Sequence, residues 1–222
     1  MSAAPHTADL TKQLEGTWEI DPAHSSLEFS VRHMMVSKVK GRFTRFTGAI
    51  VITEEPVGSS VRASVEAASI DSHEPTRDGH LRSADFLDVE NYPTIEFVST
   101  AVRPSNDGTE VTGDLTVHGV TKPVTLQAEL NGTGPDPYGG TRVGFSATTE
   151  VSRKEFGLEW NALLEGGGAV VGDKATLTFE IEAVKTAGQA PEAPPAGRNN
   201  RQSRRRRRPA DRPKAPSVGR NS

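Results

Sequence analysis

Ala175-Thr176-Leu177-Thr178-Phe179-Glu180-Ile181-Glu182-Ala183 alternates without a fault, apolar at every odd position and polar at every even one. Successive side chains of a strand point to opposite faces, so this run predicts a strand with one apolar and one wet face. The same period recurs along the chain. Leu27, Phe29 and Val31 alternate with polar neighbours; Gly48, Ile50 and Ile52 follow at the same spacing, and then Val61, Ala63 and Val65. Further on come Ile95 and Phe97, then Val111, Gly113, Leu115 and Val117, then Val124, Leu126, Ala128 and Leu130, then Val143, Phe145 and Ala147. Clusters of Gly, Pro, Asn and Asp separate the runs, as at Asn106-Asp107-Gly108 and Asn131 to Gly140. About eight strands in succession, almost none followed by a helix, predict an antiparallel all-β fold, closed as a barrel or packed as a sandwich. Phe43 and Phe46 fall one residue out of phase and predict a β-bulge. One helix is expected over 76–88, with Leu81, Ala84 and Leu87 three apart and Thr76 or Ser72 as cap.

Composition divides the chain. It has 222 residues and a net charge of −3, with 34% apolar residues and a mean hydropathy of −0.51. Residues 186–222 hold ten Lys/Arg, including Arg204 to Arg208, against Glu192 and Asp211, a net +8. Residues 1–185 carry 16 basic and 27 acidic residues, a net −11. The tail has six prolines and no aromatic residue. So little apolar surface cannot offset the entropy of ordering, and a disordered tail is expected. The expected organisation is a flexible N-terminus over 1–15, a β domain over 16–185 and a basic tail over 186–222. No apolar run approaches 18 residues, which excludes a transmembrane helix. Met1 to Leu14 lacks the pattern of a secretory signal, and the expected location is cytoplasmic.

With no cysteine, disulfides, thiolate nucleophiles and cysteine zinc sites are excluded. The histidines His24, His33, His73, His80 and His118 show neither His-x-His nor His-Glu-x-x-His spacing, so no metal and no cofactor are expected. Thr76 to Phe86 gathers Arg77, Asp78, His80, Arg82 and Asp85 in eleven positions. This is either an acid–base cluster or a charged helix that closes one end of a barrel by pairing with its neighbours. His24 and His118 sit beside turn residues, where a side chain that pins a loop is the simpler reading.

Several ordered segments resemble one family. Trp18-Glu19-Ile20-Asp21-Pro22-Ala23-His24-Ser25-Ser26-Leu27-Glu28-Phe29 is similar to the opening motif of the YceI-like, polyisoprenoid-binding family, and Val31-Arg32-His33 and Gly41-Arg42-Phe43 to its next elements. Arg77-Asp78-Gly79-His80-Leu81-Arg82-Ser83-Ala84-Asp85-Phe86 followed by Tyr92-Pro93-Thr94-Ile95-Glu96-Phe97 resembles its core. Gly113-Asp114-Leu115-Thr116-Val117-His118-Gly119-Val120-Thr121-Lys122 resembles its hairpin, and Arg153-Lys154-Glu155-Phe156-Gly157 its late motif. Gly16-Thr17-Trp18 is also similar to the Gly-x-Trp start of lipocalins, whose Trp closes the barrel base.

The resemblance, which runs from about Trp18 to Lys185, implies an extended, lipocalin-like antiparallel barrel of eight strands. It implies non-catalytic binding, storage or transport of a polyisoprenoid or isoprenoid-tailed amphiphile. Many members of the family are exported to the periplasm, an inference not transferred to this chain. If each apolar face points inward, the lining comes from Phe29, Val31, Ile50, Phe97, Leu115, Val117, Leu126, Phe145 and Phe179. Arg77, His80 and Arg82 would meet a polar head group at the mouth. Two other readings compete: an enzyme using Asp78, His80, His24 and His118 on an amphiphile, or a scaffold whose tail binds nucleic acid or anionic membrane. No aromatic interleaving in the tail supports base stacking. Oligomeric state is not encoded in any of these patterns.

Overall fold

The structure, a computed structural model, describes residues 13–162 and 169–186. The predicted disordered tail beyond residue 186 and the predicted flexible segment before residue 13 lie outside the described residues. Eleven strands run in chain order. They are β1 (Gly16–Ile20), β2 (Ser26–His33), β3 (Ser37–Phe43), β4 (Phe46–Ile52), β5 (Ser60–Glu66), β6 (Ile70–Asp71), β7 (Thr94–Ser105), β8 (Gly108–Val117), β9 (Val120–Pro135), β10 (Thr141–Ser152) and β11 (Val171–Lys185). An α-helix, α1 (Pro75–Arg82), lies between β6 and β7.

Six of the eleven strands are halves of three longer staves. β1 and β2 both pair antiparallel with β11, through Trp18↔Lys185 and Leu27↔Phe179. On their other side β1 pairs with β4 and β2 with β3, and β5 and β6 pair in turn with β4 and β3. With β7, β8, β9, β10 and β11 the ring has eight antiparallel staves, closed where β11 meets β1 and β2. The alternation of direction puts the β2–β3, β8–β9 and β10–β11 connections and α1 at one end, the helix end. The chain enters and leaves the barrel at the other, the terminal end.

The stave breaks have local causes. Between β1 and β2, Asp21-Pro22-Ala23-His24 turns on the Asp21 carboxylate, which accepts from the Ala23 N–H at 3.0 Å. Between β3 and β4, the residues Thr44 and Arg45 leave the ladder: Thr44 N–H donates to the Ser69 carbonyl and the Arg45 carbonyl accepts from Glu66. The phase shift predicted as a bulge at Phe43 and Phe46 is this two-residue interruption, which leaves both rings on the interior wall.

The helix is shorter than expected and differently capped. Glu74, not Thr76 or Ser72, is its N-cap, accepting from the N–H groups of Thr76 and Arg77 at 3.1 and 2.6 Å. It ends at Arg82 because Ser83 is extended and its hydroxyl donates to the His80 carbonyl, competing with continuation of the helix. The chain then turns so that Phe86 and Leu87 are buried without being helical.

Trp18 closes the terminal end. It is fully buried, packs with Ile50, Val143 and Ala183, and donates its indole N–H to the Leu14 carbonyl at 2.8 Å. At the helix end the β8–β9 hairpin turns on His118 and Gly119, both at positive φ, as a two-residue turn of the type that matches strand twist requires. Nearby, Arg153 opens the 3₁₀ turn Arg153–Phe156 and is 5% exposed. Its guanidinium donates to the carbonyls of Gly172 (2.9 Å), Trp160 (2.9 Å) and Leu158. Burial pulls its pKa down from that of a free guanidinium. Replacing Arg153 with Ala leaves three carbonyls short of a donor, at about 1 kcal/mol or more each. We expect Arg153→Ala to lower stability by about 3 kcal/mol in urea unfolding, with Arg153→Lys recovering only part because an ammonium lacks the planar fork.

Candidate functional site: a barrel cavity

The interior is not filled. A cavity of about 740 Å³ runs through the barrel, bounded at the terminal end by Leu14, Ile52 and Leu130 and at the helix end by His80, Phe86 and Trp160. All nine residues expected to face inward (Phe29, Val31, Ile50, Phe97, Leu115, Val117, Leu126, Phe145 and Phe179) line it. Alternation explains most of them: Phe29, Val31, Leu115, Leu126 and Phe179 each stand between polar strand neighbours. Phe43, Phe46, Phe86, Leu87 and Trp160 also line it. Phe43 and Phe46 are legible in the sequence only as a phase error, and the other three lie in turns where no period exists.

Two glycines help to keep the space open. A Cβ on Gly41 would stand 2.5 Å from the Phe29 ring, and one on Gly113 would stand 2.5 Å from the Phe97 ring. Each ring therefore lies flat against bare backbone of the neighbouring strand. With any side chain at those positions, the rings would swing toward the lumen.

The charged cluster of α1 is chiefly structural. Arg77 donates through Nε and Nη2 to the hydroxyl and carbonyl of Ser72, both at 2.8 Å. Buried Asp78 accepts from the Ser72 N–H at 2.9 Å and from its hydroxyl. Arg82 donates to the carbonyls of Ala68 and Ile70 at 2.8 and 2.6 Å, and it does not reach the cavity wall. These bonds tie the helix across the barrel end. Arg77 and His80 do reach the wall. His80 meets Trp160 and Phe86 edge-on at centroid distances of 4.6 and 5.0 Å, and its Nε2 lies 2.9 Å from the Asp85 carboxylate.

The four residues of the enzymatic reading are not assembled. Asp78 bonds Ser72, His80 faces Asp85, His118 meets the Tyr92 ring edge-on at 4.6 Å, and His24 lies 2.8 Å from Asp21. Among the described residues, Asp21, His24 and Glu182 are the one group of His and carboxylates close enough to share an ion. Arg142 already sits on two of them, donating to Asp21 at 2.7 Å and Glu182 at 2.5 Å. This bond, with a smaller contribution from His24, lowers the Asp21 pKa to about 2. The network links the break between β1 and β2 to β10 and β11, closing the seam of the barrel.

The YceI-like domain pattern matches residues 18–183 of the sequence. The chain belongs to the YceI-like family. It is 45% identical over 139 residues to a UPF0312 protein of Vibrio cholerae, covering 62% of this chain and 74% of that protein. It is 40% identical over 164 residues to one from Pseudomonas putida, covering 73% and 82%. Among solved structures the fold is similar to that of Burkholderia cenocepacia BcnA, at a TM-score of 0.64 and 22% identity over 73% of this chain and 98% of that one. A YceI protein of Campylobacter jejuni gives a TM-score of 0.57 and 26% identity over 70% and 90%. A polyisoprenoid-binding domain from Saccharophagus degradans gives 0.54 and 15% over 76% and 98%.

Two outcomes follow for this YceI-like barrel. In a filled core Leu126→Trp would overpack and cost about 1–3 kcal/mol. Beside this cavity we expect a nearly unchanged Tm and a large loss of lipid uptake, read by thermal melts and a prenyl-lipid binding assay. The second concerns acid. Asp21 is more acidic folded than unfolded, so its contribution to stability is full above about pH 4 and is lost as pH falls toward about 2. Asp21→Asn should weaken the fold at neutral pH and flatten the pH dependence of urea midpoints between those limits.

Proposed function

We propose that this YceI-like protein binds a polyisoprenoid or isoprenoid-tailed amphiphile, such as a quinone, as a non-catalytic store or carrier. The single observation behind this is the cavity, apolar along its walls and about 740 Å³ in volume. That volume falls within the roughly 300–1,000 Å³ of sites that take one small ligand. The fold similarity to the Saccharophagus degradans polyisoprenoid-binding domain agrees with the ligand class.

Elementary energetics favour such a chain. Burying a methylene gains about 0.8 kcal/mol, so an isoprene unit gains about 4 kcal/mol gross. Three units give about 12 kcal/mol, and about 4 lost to association and ordering leave about 8, the equivalent of micromolar affinity. No hydrogen bond to the chain is required. The prenyl chain would lie against Phe29, Val31, Ile50, Phe97, Leu115, Val117, Leu126, Phe145 and Phe179, with its head group near Arg77 and His80. Arg82, held by two carbonyls away from the wall, is not part of this head-group site. The absence of turnover is part of the same proposal, supported by the separate engagement of Asp78, His80, His24 and His118. So are a cytoplasmic location, tested by cell fractionation, and a peripheral contact of the arginine-rich tail with anionic membrane or nucleic acid.

Mass spectrometry of an organic-solvent extract of the full chain, purified natively from its host, tests the proposal. We expect a prenyl-chain lipid at close to one per barrel. Repeated extracts empty of lipid, together with no uptake of added prenyl lipids, would overturn it.

A further inference from the structure

The β2–β3 hairpin breaks two local rules at once. Its tip, Met34-Met35-Val36, is exposed at 42%, 72% and 82%, three apolar side chains in a row facing water. Met34 and Met35 both sit at positive φ, 51° and 57°, in a turn closed by the Val36 N–H on the His33 carbonyl. Turns with two such residues favour Asn-Gly, and unbranched apolar side chains are strained there. Below the tip, Arg32 and Lys38 stand directly opposite each other across the ladder, a like-charge pair that disfavours the hairpin. Arg32, Lys38 and Lys40 are exposed and form no ion pair among the described residues, whereas Arg42 and Arg45 are paired with Asp71 and Glu66. From residue 29 to residue 53 there is no acidic residue, although residues 1–185 carry a net charge of −11. Local inconsistencies of this kind, with no compensating side-chain contact among the described residues, mark functional surface.

The hairpin also stands at the cavity. Val31 and Val39, paired across the same ladder, line its wall, as does His33 at the last pair before the tip. A convex apolar tip with a collar of cations fits the boundary between acyl chains and anionic head groups. It does not fit a protein groove as well, because a convex two-stranded tip presents no flat core of contact.

We propose that this hairpin is a membrane-docking element, which inserts Met34, Met35 and Val36 into an anionic bilayer while Arg32, Lys38 and Lys40 meet the phosphates. If the barrel carries lipid, as proposed above, docking sets the cavity mouth on the membrane. Docking itself needs no cargo, so vesicle experiments without prenyl lipid fail or succeed independently of the cavity reading.

The absence of cysteine makes the test clean. In the full chain, Met35→Cys and, as a control, Tyr138→Cys carry an environment-sensitive fluorophore. Tyr138 is 91% exposed and lies between β9 and β10 at the terminal end. The probe is a phosphatidylcholine vesicle with about a third phosphatidylglycerol. We expect the label at position 35 to shift blue and to be quenched by spin-labelled acyl chains, and the label at 138 to do neither. Met34→Asn with Met35→Gly should raise Tm by relieving the turn, yet weaken vesicle binding by about tenfold. Lys38→Gln with Lys40→Gln should reduce the salt dependence. The basic tail alone can bring the chain to the surface, so sedimentation with an unquenched label at 35 would overturn the proposal. Equal quenching at 138, undiminished binding by the Asn-Gly variant, or no vesicle binding at all would overturn it too.

Discussion

β11 holds the architecture together. Its fifteen residues bond to β10 along one edge, and along the other to β2 and then to β1. That double engagement turns an open meander into a ring with no free edge at the seam. The Arg142 network reinforces the same place, tying β10 to β11 through Glu182 and to the break between β1 and β2 through Asp21. A ring of eight staves has an interior that can either interlock or hold one ligand. Which of these occurs depends on what the inward residues leave over.

Here several features act toward a hollow. Phe29 and Phe97 lie flat over Gly41 and Gly113 instead of pointing at the axis. Large side chains that do interlock are kept to particular levels, such as Trp18 with Val143 near the terminal end and Phe156 near the helix end. The ionisable groups of α1 make their bonds to Ser72, to Asp85 and to backbone carbonyls at the rim, and the wall between the ends is chiefly apolar. Such a cavity offers water few partners and an alkyl or prenyl chain many contacts.

How far the sequence reveals this depends on whether a residue sits in a regular element. Strand residues are legible because a half-buried strand forces alternation; Phe179, Leu126 and Leu115 can face only one way once the fold is a barrel. Residues at breaks carry no such signal. Trp160 and Phe86 reach the cavity from turns whose course is fixed by tertiary bonds, such as those of Arg153 and Ser83. The pattern overstates the helix because Leu81, Ala84 and Leu87 keep a three-residue spacing through a turn that the Ser83 hydroxyl creates. The roles of Arg77 and Arg82 need coordinates, since a guanidinium bonded to carbonyls and one awaiting a head group look the same in a sequence.

The central claim is that an apolar chain lies inside the barrel, in contact with its inward strand residues. Intermolecular NOEs between a prenyl lipid and protein labelled with ¹³C at its methyl groups test it most directly. We predict contacts to the methyls of Val31, Leu115, Val117 and Leu126, spread along the lipid chain. Contacts confined to exposed methyls such as those of Met35 and Val57, with none to the inward set, would contradict the account.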